Sequence, residues 1–95
     1  MIRDVVVGRV RPGTDLGSVQ EALDAIVALP VPELVDVRVG RDAGLRPGAW
    51  SFAITSDFVD AEAYRAYDTE AEHNRIRHEM FDPVCEEIAR VQFSA

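Results

Sequence analysis

Three consecutive valines, Val5, Val6 and Val7, constrain this chain more than any other stretch. β-Branched side chains favour an extended backbone, and alternate residues of a strand point to opposite faces. Apolar groups on both parities therefore call for cover on both sides of the sheet. Ile2 to Val10 reads as a strand with Ile2, Asp4, Val6, Gly8 and Val10 on one face and Arg3, Val5, Val7 and Arg9 on the other. Arg11-Pro12-Gly13 ends it with a turn.

An apolar helical stripe follows, formed by Leu16, Val19, Leu23, Ile26 and Val27, with Thr14 as its N-cap or Ser18 as the alternative. Pro30 and Pro32 stop it. Leu34 to Gly40 alternates Val35, Val37 and Val39 against Asp36 and Arg38, the pattern of a second strand. A polar connection with two glycines and a proline leads to a third strand, Trp50 to Asp57, in which Trp50, Phe52 and Ile54 share a face. Asp60 is placed to cap a short helix carrying Ala63, Tyr64 and Tyr67. A second helix follows, broken near its end by Pro83, and Ile88 to Phe93 is the last strand. The order β-α-β-β-α-β predicts an α+β fold of ferredoxin-like type, with four antiparallel strands and the helices on one face. The opposite face, with valines on it, would be left wet in a monomer. A homodimer that closes two sheets into one barrel solves that problem.

Ninety-five residues make one domain, 1–95. The net charge of −7 argues against nucleic-acid partners and against an anionic membrane surface. No apolar run approaches the roughly 20 residues that cross a bilayer. Met1-Ile2-Arg3-Asp4 lacks the basic-then-apolar character of a secretory signal, which points to a cytoplasmic protein. The lone Cys85 excludes an internal disulfide, suits a reducing compartment, and reads as a small buried apolar residue.

The second helix holds both histidines. Thr69 and Glu72 have capping-box spacing, which predicts a helix starting there. His73, Ile76 and Met80 recur at three- and four-residue intervals, so His73 shares a stripe with side chains that need burial. If Asp4 faces the helices with Val6 and Gly8, it can meet His73 across a cavity that Gly8 helps to open. An imidazole can exchange a proton, a carboxylate can fix its tautomer, and Tyr67 can polarise a carbonyl. His73, Asp4 and Tyr67 are thus candidate catalytic residues, with Val6, Gly8, Trp50, Phe52, Tyr64 and Ile76 as the pocket around a small apolar ligand. The competing reading is a buried pair of structural value only, Asp4 with His73 or with an arginine. His78 lies about 140° round the helix from His73, so a shared metal is disfavoured. With Asp82 it forms an i,i+4 surface pair. No metal is expected, and no phosphate or dinucleotide motif calls for a cofactor.

The ordered set of short motifs resembles the stress-responsive A/B barrel (Dabb) family, nearly end to end. The set comprises Met1 to Thr14 with its Pro-Gly turn, Val39-Gly40-Arg41-Asp42, Gly44 to Ala49, Ser56-Asp57-Phe58, Tyr67, His73, Pro83 and a strand ending at Phe93. The resemblance implies a dimeric α+β barrel with a pocket between sheet and helices. A plant member closes an aromatic ring by aldol condensation with two histidines and a tyrosine, and most members have no established reaction. The frequent pattern Tyr-x-x-His-Pro-x-His reads here Tyr67-Asp68-Thr69-Glu70-Ala71-Glu72-His73. The tyrosine and second histidine are kept, whereas the first histidine and the proline are Glu70 and Ala71. A histidine often found on the first strand falls at Asp4. The resemblance thus implies a site that binds or transforms a small carbonyl or aromatic, polyketide-like compound. The other class is a stress-response or ligand-binding protein without catalysis. A monooxygenase, as in other dimeric α+β barrels, is a third.

Overall fold

The computed structural model describes all residues, 1–95. Its strands are β1 (Ile2–Val10), β2 (Leu34–Arg41), β3 (Phe52–Phe58) and β4 (Cys85–Ser94). Its helices are α1 (Leu16–Val27), α2 (Ala61–Asp68) and α3 (Ala71–Ile76), and α3 runs on into a π-helical turn, Arg77–Phe81. The four strands form one antiparallel sheet in the order β2-β3-β1-β4. This is the predicted ferredoxin-like arrangement. The valine-rich β1 lies between two neighbours.

The helix-facing side of the sheet is read from the registers. Asp4 pairs with Ser56 on β3 and Gln92 on β4, Val6 with Ile54 and Arg90, and Gly8 with Phe52 and Ile88. On α1, Val19, Ala22, Leu23 and Ile26 are buried against this face with Phe52, Ile54 and Phe58. Their 3.6-residue period meets the period of two on β3, where every second residue is buried. Each fully buried Leu, Ile or Phe contributes about 1.5–3 kcal/mol of transfer free energy, which makes this contact the main source of stability.

Several local readings are corrected. Asp15, rather than Thr14 or Ser18, caps α1, its carboxylate accepting from the Gly17 N–H at 3.0 Å. Thr14 instead donates to the Arg11 carbonyl at 2.6 Å and closes the turn. Leu16 and Val27, at the two ends of α1, are exposed. In β2 the register shifts between Leu34 and Asp36, so Leu34, Val37 and Val39 pair on the helix side while Val35 faces solvent. Trp50 does not continue β3. The chain bends at Ser51, whose N–H donates to the Gly8 carbonyl at 2.7 Å and whose hydroxyl accepts from the Val10 N–H at 2.9 Å. The indole lies instead under the Arg9 guanidinium, 4.4 Å from ring centroid to Cζ.

Thr69 does not open the histidine helix. Its hydroxyl donates back to the Arg65 carbonyl at 3.0 Å and ends α2, while Glu70 caps α3 by accepting from the N–H groups of Glu72 and His73 at 3.0 and 2.6 Å. A carboxylate reaching two free N–H groups at a positive helix end outcompetes a hydroxyl that finds a carbonyl behind it.

The other sheet face carries Val5, Val7, Ala53, Ala89, Val91 and Phe93, with no helix over it. Val91 and Phe93 are 55 and 45 % exposed. At the end of this face Arg3 grips Asp57 with two hydrogen bonds of 2.8 and 3.1 Å.

Gly8 is required by packing. A Cβ there would stand 2.1 Å from the Phe52 ring, which lies over the glycine and stacks on Phe81 at 5.5 Å. Gly8→Ala is expected to lower the unfolding free energy by about 1–3 kcal/mol through overpacking. Urea denaturation measures this, and wild-type stability would show that the ring has somewhere else to go.

Candidate functional site

Between the sheet and the second helical layer lies a narrow cavity. The space open to the centre of a water-sized sphere is about 40 Å³. That holds a few waters or a compact organic group. Val6, Ile26, Phe52, Ile54, Phe81 and Ile88 give it apolar walls, and Asp4, Ser56, Tyr64, Tyr67 and His73 put polar atoms on it. Asp68, Arg77, Asp82 and Arg90 complete the lining.

His73 reaches the cavity because Glu70 fixes the start of α3. The ring is 8 % exposed and lies on Tyr67, with centroids 4.0 Å apart and planes at 35°. Its Nδ1 is the one buried side-chain N or O atom in the chain without a hydrogen-bond partner. Leaving such an atom unpaired costs about 1–3 kcal/mol. Burial lowers the pKa of His73 and the nearby Arg77 guanidinium adds to this. Asp68 and Glu70 pull weakly the other way, as does the Tyr67 carbonyl, which lies close but outside hydrogen-bond geometry. His73 is therefore a neutral imidazole at pH 7.

The π turn aligns the rest of this helix. His73, Arg77 and Phe81 are four residues apart and all line the cavity. Four residues of α-helix overshoot a full turn, whereas the wider π turn falls short of one. The π segment from Arg77 to Phe81 therefore swings Phe81 back towards the His73 stripe, onto Phe52.

Asp4 is 6 % exposed. One carboxylate oxygen accepts from the Gln92 amide at 2.8 Å. Burial raises its pKa, while the Gln92 hydrogen bond and the Arg90 and Arg77 charges oppose the rise. Tyr67 packs against Phe58 at 5.1 Å. Its pKa is pushed well above that of a free tyrosine, by burial first and the Asp4 charge second, so its hydroxyl keeps its proton. Tyr64 is shifted the same way for the same two reasons.

The structure thus brings His73, Asp4 and Tyr67 to one cavity and adds Val6, Phe52 and Tyr64. Asp4 and His73 form no hydrogen bond with each other, and Gln92 donates to one oxygen of the carboxylate. Three expected pocket residues are elsewhere. Gly8 is covered by Phe52, Trp50 lies with Arg9, and Ile76 is packed in the core. Ser56, Arg77, Phe81 and Arg90 line the cavity without having been singled out. Ser56 and Arg90 have a visible signal, since strand parity puts them on the Asp4 side. Arg77 is i+4 from His73, and only the π turn determines Phe81. Glu70, at the position of the missing histidine, is a helix cap and does not line the cavity. His78 pairs with Asp82 at 3.1 Å, 70 % exposed. Cys85 is buried and its thiol pKa is raised by burial. No three His, Cys, Asp or Glu side chains gather as a metal site.

The Asp4 shift has a sign that can be checked. A carboxylate whose folded pKa is raised stabilises the fold below its unfolded pKa and loses that contribution as pH rises through the folded value. Above that value the buried charge costs the fold stability. Asp4→Asn is expected to raise the melting temperature at pH 7, by an amount that shrinks as pH falls through the carboxylate range. Melting curves of both proteins across pH test this, because His73, shifted the opposite way, is common to both.

Comparison with known proteins agrees with this architecture. The sequence matches the profile of the Stress responsive A/B Barrel Domain family, Dabb, over residues 2–95. A dimeric ferredoxin-like protein of unknown function from Thermobifida fusca is 27 % identical, with a TM-score of 0.90 over 99 % of this chain and 90 % of that one. The hydroxynitrile lyase of Passiflora edulis is 19 % identical, with a TM-score of 0.83 over 97 % and 90 %. A Dabb family protein from Mesorhizobium loti is 18 % identical, with a TM-score of 0.77 over 99 % and 95 %. No curated protein matches at a significant level. With its motifs in order, its β2-β3-β1-β4 sheet and a family match across nearly its whole length, the chain belongs to the Dabb family.

Proposed function

We propose that this protein is a cytoplasmic homodimer whose cavity binds a small apolar carbonyl or aromatic compound and exchanges a proton with it. The observation that carries the reading is the buried His73 ring, which lines the cavity and lies against the Tyr67 ring. A neutral imidazole can take a proton from the carbon next to a carbonyl. The Tyr67 hydroxyl, held protonated by burial, donates a hydrogen bond to the carbonyl oxygen as it gains charge. The proton then returns from His73 to carbon. Ring closure of a polyketide-like chain is one form of this chemistry. Fold neighbours include a hydroxynitrile lyase and an antibiotic biosynthesis monooxygenase, so the fold alone does not choose the reaction. The second reading, a stress-response or ligand-binding protein without catalysis, is favoured by one observation: Asp4 is held by Gln92 and not by His73.

The dimer is supported by the uncovered face bearing Val91 and Phe93 and by the dimeric neighbours from Thermobifida fusca and Bacteroides fragilis. Light scattering at micromolar concentration is expected to give twice the chain mass, and Val91→Asp to give a monomer. A stable wild-type monomer would overturn the assembly. For the site, exchange of α-protons with deuterated water in aromatic ketones, followed by NMR, is expected to be catalysed by the wild type. Loss of the general base in His73→Ala should slow it about 10²- to 10⁴-fold with the dimer intact. Undiminished exchange in that variant would remove His73 from the chemistry.

A further inference from the structure

We infer that the ligand of this cavity carries a carboxylate, and that Arg90 receives it with Arg77 beside it. The inference rests on the pocket reading above and adds the ligand's charge. This is an acid-rich chain, with seventeen carboxylate residues against ten arginines. Half of those arginines, among them Arg77, already form ion pairs. Arg90 has no carboxylate within ion-pair distance, yet it lines the cavity.

The carboxylates around the cavity have other partners, and none closes an ion pair on Arg90. Asp4 lies one step along the ladder, since β1 pairs Asp4 with Gln92 and Val6 with Arg90; one of its oxygens accepts from Gln92 at 2.8 Å, and it meets Arg90 only as a charge at a distance. Asp82 faces His78. Asp68 meets Arg77 at a loose 3.6 Å, and Arg77 turns a second contact to the Asn74 side-chain oxygen at 3.1 Å.

Both guanidinium charges are felt inside the cavity, where they favour the ionised form of Asp4 and of Tyr64. A planar guanidinium with free N–H groups matches a carboxylate with two parallel hydrogen bonds. The apolar walls would take the body of the ligand, and the narrow space limits it to one small ring or a short chain. The substrate class is therefore a small aromatic or aliphatic carboxylic acid, such as a keto acid, bound with its charge at the rim and its carbonyl inward. The net charge of −7 opposes such an anion at long range, so the recognition must be local.

Benzoate and its neutral isostere benzamide separate charge from shape. Each is titrated into the full-length wild type, Arg90→Gln and Arg77→Gln, with NMR shifts of the Tyr67 and His73 amides as the readout. Benzoate is expected to bind the wild type about tenfold to hundredfold more tightly than benzamide, the range for a charge-assisted contact. Arg90→Gln should erase that difference, through loss of benzoate affinity. Arg77→Gln should narrow it. Equal binding of both compounds to the wild type, or a benzoate preference that survives Arg90→Gln, overturns the anionic assignment and leaves the pocket intact. If neither compound moves those resonances, the pocket reading fails together with the assignment.

Discussion

Asp4 is a carboxylate buried on the middle of the sheet, and the arrangement of the cavity follows from the need to accommodate it. An ionised carboxylate without partners in apolar surroundings is too costly to keep. Gln92 supplies a hydrogen bond from β4, Ser56 is its paired neighbour on β3, and Arg90 and Arg77 supply charge from the rim. Three of these residues, Gln92, Ser56 and Arg90, sit on the strands flanking β1, so the polar floor is held by backbone ladders. Groups placed on such rigid elements keep their geometry better than groups on loops.

The same scarcity of water acts on the other ionisable groups. It pushes Tyr64 and Tyr67 towards keeping their protons and His73 towards losing its own. The proton carriers within are therefore neutral near pH 7, while lasting positive charge is kept at the edge by arginine, which cannot deprotonate. A cationic rim can admit a charged group without burying it. The shared burial of His73 and Tyr67 also makes them a unit, since each ring covers the other.

Much of the architecture could be read from residue spacing. Alternation in β1 and β3 and the stripe Val19, Leu23 and Ile26 give the layers, and they specify which side of β1 meets the helices. What could not be read were events of one or two residues. The bulge at Val35, the bend that sends Trp50 to Arg9, and the π turn that brings in Phe81 each add or remove part of a period, and residue types do not mark them. Caps were confused among neighbours for a related reason. Thr14, Asp15, Thr69 and Glu70 are all capable, and the choice depended on which carbonyls and N–H groups lay within reach. Gly8 was misread because a missing side chain looks like space until the ring that fills it is known.

The pairing of Ile2 with both Phe58 and Ser94 has a consequence during synthesis. β1 is finished only when β4, made well after it, arrives beside it. At about 5–20 residues per second, Val5-Val6-Val7 stays without its β4 neighbour for roughly 4–16 s after leaving the ribosome. Arg3, Asp4 and Arg9 flank the three valines with charge, which limits their capture of other nascent chains while they wait.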